Sequence, residues 1–223
     1  EEIAEEAQKR GYEFVAICDH SQSLRVGHGL SIDAVCKKRE EIRMVQARYP
    51  KLKILFGTEV DIKSDGTIDY PDEVLEEFDV VVAAIHSGFK EEEARITARI
   101  LSAVENPHVD IIAHPTGRLI SSREPYNVDL ETVFKAAART GTLMEINSYY
   151  DRLDLNDVCA RRAKELGVRF ALGTDSHHKE QLWTMRLGVS VAQRAWLEKE
   201  DIINCLPFGK MTDFFAKRGK AGA

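Results

Sequence analysis

The sequence predicts an α/β protein of parallel βαβ units rolled toward a barrel, and three observations predict it. Short apolar runs alternate with helical patterns along most of the chain. The runs are close to continuously apolar, as in Val80-Val81-Val82-Ala83-Ala84-Ile85, which marks strands covered on both faces. All but one of the six runs end in a histidine or a carboxylate: His20, Glu59, His86, His114, then Asp175 with His177. An open doubly wound sheet also fits the alternation, but it concentrates its chemistry at one switch point. A barrel gathers the C-terminal ends of all its strands at one mouth, and ligands after strand upon strand favour it.

Taken in order, Glu1–Arg10 has a helical apolar face and Gly11 as its C-cap. A chain that opens inside a helix suggests that something ahead of it has been removed. Tyr12–Cys18 is a strand leading to Asp19-His20-Ser21, and Ser21–Leu30 is a loop. Ser31 caps a helix to Tyr49 that Pro50 stops. Lys53–Ile62 is the next strand, with a Ser64-Asp65-Gly66 turn able to fold back a short hairpin. Then come a helix Pro71–Glu77, strand Asp79–Ile85, helix Glu91–Val104, strand Val109–Ala113, helix Val128–Thr140, strand Thr142–Ile146, helix Leu153–Leu166 and strand Val168–Leu172. Helical patterns follow at Val189–Leu197 and Asp201–Leu206, and the basic tail Phe208–Ala223 is expected to fray at its Gly219–Ala223 end.

The 223 residues, 43% hydrophobic and 30% charged, suit one sizeable core and are read as a single domain spanning 1–223. No stretch approaches the ~20 apolar residues of a membrane span. The acidic N-terminus is the reverse of a signal peptide, so a cytoplasmic location and no membrane partner are expected. Cys18, Cys36, Cys159 and Cys205 lie far apart without CxxC spacing and read as buried free thiols. The net charge of −6 argues against a coat of positive charge for non-specific nucleic-acid binding. It leaves room for a local site, because divalent cations reverse the sign where carboxylates cluster.

In extended chain, positions i and i+2 point the same way, so Asp175 and His177 would converge on one point. Taken singly, each strand-tip histidine reads more readily as a satisfied core or loop residue than as a ligand; the recurrence of the placement is the signal. Mixed imidazole and carboxylate donors without thiolate suit zinc, manganese or iron better than magnesium or calcium alone. A carboxylate such as Glu59 can bridge two ions, and a multi-metal site suits in-line displacement at phosphorus. Arg25, Arg118, Arg123 and Arg152 follow strands in loops and are candidates to clamp phosphate. Asp19, beside His20, is assigned to orienting a neighbouring ligand. Glu145 reads as a buried hydrogen-bonding residue, His28 and His178 as outer contacts, and His108 as surface.

Asp19-His20-Ser21, the Glu59 strand, Ile85-His86-Ser87, His114-Pro115 and Thr174-Asp175-Ser176-His177 resemble successive motifs of the PHP (polymerase and histidinol phosphatase) superfamily. The longer stretches Asp19–Leu30, Gly57–Asp72, His114–Tyr126 and Glu145–Leu155 resemble the PHP domain of bacterial family-X DNA polymerases. The resemblance implies a distorted (β/α)7 TIM-like barrel and metal ligation by His20, Glu59, His86, His114, Asp175 and His177. It implies up to three manganese or zinc ions, with a metal-activated water held by Glu59 and Asp175. The activity implied is phosphoesterase or 3′-5′ exonuclease action at DNA 3′ ends, in DNA repair, with the polymerase domains of a parent protein as partners. A histidinol-phosphatase-like small-molecule phosphatase and a catalytically silent structural module are the alternatives. The superfamily's first motif, a strand ending in His-x-His, would precede Glu1, and this sequence contains no His-x-His. Its absence accounts for six strands rather than seven, and fewer than three ions and slow turnover are expected of the chain.

Overall fold

The computed structural model describes residues 1–24 and 29–218. Six strands, β1 (Phe14–His20), β2 (Lys53–Asp61), β3 (Val80–Ala84), β4 (Ile111–Ile112), β5 (Leu143–Asn147) and β6 (Phe170–Gly173), form one sheet in chain order. Every neighbouring pair is parallel, so the strands curl in one direction into a half-barrel with all C-terminal ends on one rim. α1 (Glu2–Lys9) precedes the sheet, the connections carry α2 (Ile32–Arg48), α3 (Asp72–Leu75), α4 (Glu93–Glu105), α5 (Leu130–Thr140) and α6 (Asp157–Glu165), and α7 (Met185–Arg194) and α8 (Phe208–Arg218) follow β6. Ser31 caps α2 by accepting from the Ala34 N–H, and the expected hairpin forms, with Ile62 bridged antiparallel to Ile68. Among the described residues no helix is long and apolar enough to cross a membrane.

The helices bury the outer face of the sheet, where Val60, Val81, Ala83, Ile112, Met144 and Phe170 pack. The inner face is layered, because alternate residues of each strand point inward. Its lower layer is apolar: Leu55, Val80, Ile111, Leu143 and Ala171 form one cluster with Ile203 and Met211. Two positions further along the same faces stand Gly57, Val82, Ala113, Glu145 and Gly173. Above these, β2 presents Glu59 and Asp61 and β5 presents Asn147. A polar rim therefore stands on an apolar floor.

The basic tail seals that floor, while its 219–223 end, the part expected to fray, lies outside the described residues. Residues 208–218 form α8, in which Met211 is 1% exposed and Phe208, Phe214 and Phe215 pack against the inner cluster. Positions 208, 211 and 215 recur at helical spacing, and the interleaved basic residues disguised an apolar face that closes the bottom of the half-barrel. The helix expected from Leu153 begins only at Asp157, capped by Asn156. The preceding residues return to β5, the Leu155 N–H donating to the Glu145 carbonyl at 3.1 Å. The pattern at Asp201–Leu206 folds as short 3-10 turns, and α7 starts earlier than expected, after a 3-10 segment at Lys179–Thr184. All four cysteines are free, but Cys36 and Cys205 are exposed, contrary to the expectation of burial.

One buried cation ties the rim together. Arg99 on α4 is 2% exposed and donates to the carbonyls of Ile62 (2.6 Å), Lys63 (3.0 Å) and Ser87 (3.0 Å) and to Glu91 (3.2 Å). It joins the segment leaving β2 to the one leaving β3, the two segments that carry Glu59 and His86 to the mouth. Arg99→Met retains the aliphatic stem and strands buried acceptors, and is expected to cost about 3 kcal/mol. Urea denaturation measures it; a loss within about 0.5 kcal/mol would show that the carbonyls find other partners.

Candidate metal centre

Glu59 is the hub of the rim. The parallel register sets it directly beside His20, whose Nδ1 lies 3.7 Å from Glu59 Oε2. From the next two strand ends, His86 Nε2 lies 3.2 Å and His114 Nε2 3.0 Å from Glu59 Oε1. His20, Glu59 and His86 each offer a donor atom within 4.8 Å of the others, the geometry of a metal-holding group. The His86 ring centroid is 5.1 Å from that of His20 and 5.4 Å from that of His114. His114 falls one residue out of the inward alternation of β4, and its left-handed φ of 30° breaks the extended run there.

Asp175 and His177 complete the rim from the end of β6. Asp175, also left-handed at φ 49°, accepts from Arg152 Nε at 3.1 Å and Asn147 Nδ2 at 3.2 Å. His177 meets the Asp175 carbonyl through Nδ1 at 3.0 Å, leaving Nε2 as its available nitrogen, and its ring centroid is 6.5 Å from that of His20. The six candidate ligands thus share one end of the sheet: Glu59 with three histidines around it, and Asp175 and His177 at the open side. The residues fit a divalent cation. Nδ1 of His20 and Nδ1 of His114 are buried without a hydrogen-bond partner, and buried imidazole nitrogens are costly unless something takes them.

The electrostatics run in opposite directions within a few ångströms. Burial alone would raise the Glu59 pKa, but the hydrogen bonds from His114 and His86 outweigh it and hold the carboxyl well below its usual range. Burial likewise disfavours charge on His86, yet hydrogen bonds to Asp61 and Glu59 raise it to about 9. Glu145 behaves differently: burial, reinforced by the charges of Asp175 and Glu59, pushes it well above its ordinary value. It is the buried hydrogen-bonding residue expected, accepting the His114 N–H at 2.7 Å. Gly173 leaves it room, since a β-carbon there would lie 2.2 Å from Glu145 Oε1.

Several assignments change. Asp19 turns outward to pair with Lys38 at 3.3 Å; the carboxylate that orients a cluster histidine is Asp61, 2.5 Å from His86 Nδ1 and itself held by the Ser23 hydroxyl. Asp61 was missed, although its place two residues after Glu59 on one strand face was a usable signal. Of the arginines, Arg152 reaches the rim. Arg118 donates to the carbonyls of Arg152 and Leu153, while Arg123 donates to Gly117 and stacks on Phe89, so both brace loops rather than face the cluster. Arg25 and His28 lie outside the described residues. His178 lines the cleft beside Asp175 and His177, and His108 is half-buried opposite Glu76.

No family model matches the chain. Over 217 residues, 97% of the chain, it is 42% identical to the DNA polymerase/3′-5′ exonuclease PolX of Bacillus subtilis, of which it spans 38%. It is 31% identical over 186 residues to a probable phosphatase of Caldanaerobacter subterraneus, covering 79% of this chain and 68% of that protein. Its fold matches the histidinol phosphate phosphatase of Lactococcus lactis, a crystal structure with zinc, L-histidinol and phosphate, at a TM-score of 0.62 and 18% identity, over 88% of this chain and 87% of that one. Fold and rim define a half-barrel protein with a histidine–carboxylate metal site at its C-terminal mouth. The chain belongs to the PHP superfamily.

The shifts set a pH window for the metal-free chain. The raised pKa of His86 contributes stability present below the ordinary histidine value and lost as pH rises through about 9. The lowered Glu59 and Asp61 contribute stability present above the usual carboxylate range and lost as pH falls through their depressed values. In EDTA, melting is expected to be highest between about pH 5 and 8. Asp61→Asn should bring the alkaline decline to lower pH and weaken metal binding roughly 10- to 100-fold. Melting curves and metal titrations of both proteins check this, and an unmoved alkaline decline would exclude the His86–Asp61 pairing as its source.

Proposed function

We propose that the chain is a metal-dependent phosphoesterase acting at DNA 3′ ends, as a 3′-5′ exonuclease or end-processing activity, with manganese or zinc. The observation that carries it is the Glu59 hub, a buried ionised carboxylate among three imidazoles at the mouth. The relative at 42% identity, named as a polymerase and 3′-5′ exonuclease, supports DNA ends, and the probable phosphatases support ester hydrolysis at phosphorus. DNA and the polymerase domains of a longer protein are the proposed partners.

Divalent ions supply, when bound, an activated water at neutral pH and stabilisation of charge on the phosphoryl oxygens. His20, Glu59, His86 and His114 would hold them on one side and Asp175 and His177 on the other. Arg152, oriented by Asp175, has its Nη1 buried without a hydrogen-bond partner, a donor that a phosphoryl oxygen can take. With a net charge of −6, the chain suits recognition of an end at a local site better than tracking of a long anionic backbone.

The test is hydrolysis by the manganese- or zinc-loaded chain of 3′-ended oligonucleotides beside small phosphomonoesters. EDTA should abolish turnover and added metal restore it. Glu59→Gln and Asp175→Asn should each lower turnover at least about 100-fold with the circular dichroism spectrum intact. Failure to hydrolyse any phosphate ester would overturn the phosphoesterase reading. Turnover of small phosphomonoesters alone would overturn only the DNA substrate.

A further inference from the structure

A cleft of about 330 Å³ opens beside the metal centre and shares Asp175 and His177 with it. Leu119 and Tyr149 line it, and Arg152 and Gln181 also face it. Tyr149 is wired in place from two directions. Gln181 Nε2 donates to its hydroxyl at 3.0 Å, while Gln181 Oε1 accepts the N–H groups of His177 (2.7 Å) and His178 (3.1 Å). The Tyr149 N–H donates to Asn147 Oδ1 at 2.9 Å, and that same amide donates to Asp175. The Tyr150 ring lies 4.5 Å from the Tyr149 ring at an interplanar angle of 33°, and Tyr150 is 55% exposed. Ile120, 43% exposed, is tied to the same loop through its N–H on the Asp151 carbonyl.

We propose that Tyr150, backed by Tyr149, is a stacking platform for the base of the terminal nucleotide whose phosphate sits at the metal centre. This rests on the DNA-end reading. An ester group held at Asp175 and His177 directs the rest of its molecule toward the adjoining cleft, where Leu119 and Tyr149 are the apolar surface in an otherwise polar lining and the exposed Tyr150 ring lies against Tyr149 at the margin. Aromatic faces accept any nucleobase and impose little sequence preference, as suits an end-processing site.

The measurement is the binding, by the manganese-loaded chain, of a 5′-labelled single-stranded oligonucleotide ending in a 3′-phosphorothioate. The same strand with an abasic terminal residue, and inorganic phosphate, are run beside it. The wild type should prefer the base-bearing end roughly tenfold. Tyr150→Leu should abolish that preference and Tyr150→Phe retain it, with phosphate affinity equal in all three proteins. Equal binding of the two ends by the wild type, or an undiminished preference in Tyr150→Leu, overturns the platform and leaves the phosphoesterase reading standing. If the wild type binds phosphate but neither oligonucleotide, the DNA-end reading falls and the platform with it.

Discussion

The contact of Glu59 with three imidazoles is the constraint on which the rest of the structure turns. A carboxylate this deeply set is costly in isolation, and here His20, His86 and His114 approach it from three other strand ends. Each must arrive at one level, which requires parallel strands in unbroken register: His20 sits directly across from Glu59, and the segments after β3 and β4 deliver the other two. Arg99 and Asp61 serve the same end from behind, one gathering the loop carbonyls and the other holding the His86 ring.

The half-barrel separates its stability from its chemistry along the strand axis. Its lower inner layer is hydrophobic and is sealed by α8, so the sheet need not fill its own interior as a closed barrel does. The upper layer is left to polar groups, two of which play opposite electrostatic roles. Glu59 is held low by the histidines around it, whereas Glu145, on β5 and with a single backbone donor to its Oε2, is pushed up by burial. Equal side chains in one bowl thus differ because their hydrogen-bond partners differ. The loops after β4 and β5 are braced by Arg118 and Arg123, which frees Arg152 and the two tyrosines to define the open side of the mouth.

The strand order, the parallel sheet and the residues of the rim were legible in the chain before any contact was known. Continuous apolar runs and alternation with helices are local patterns, and a histidine or carboxylate at a strand end is visible without knowing what it faces. Glu145 was legible for the same reason, since a polar residue inside an apolar run must find a hydrogen bond. Which way side chains turn once the chain leaves regular geometry depends on the folded neighbours. Asp19 faces Lys38, while Asp61, read as just another strand residue, grips His86. His114 joins the hub through a left-handed backbone that periodicity cannot foresee. Arg118 and Arg123 look like Arg152 in sequence but are spent on loop carbonyls. The tail became α8 because its aromatic residues found an apolar floor assembled from five distant strands. Burial and partner geometry are properties of the folded surface, and no stretch of chain carries them alone.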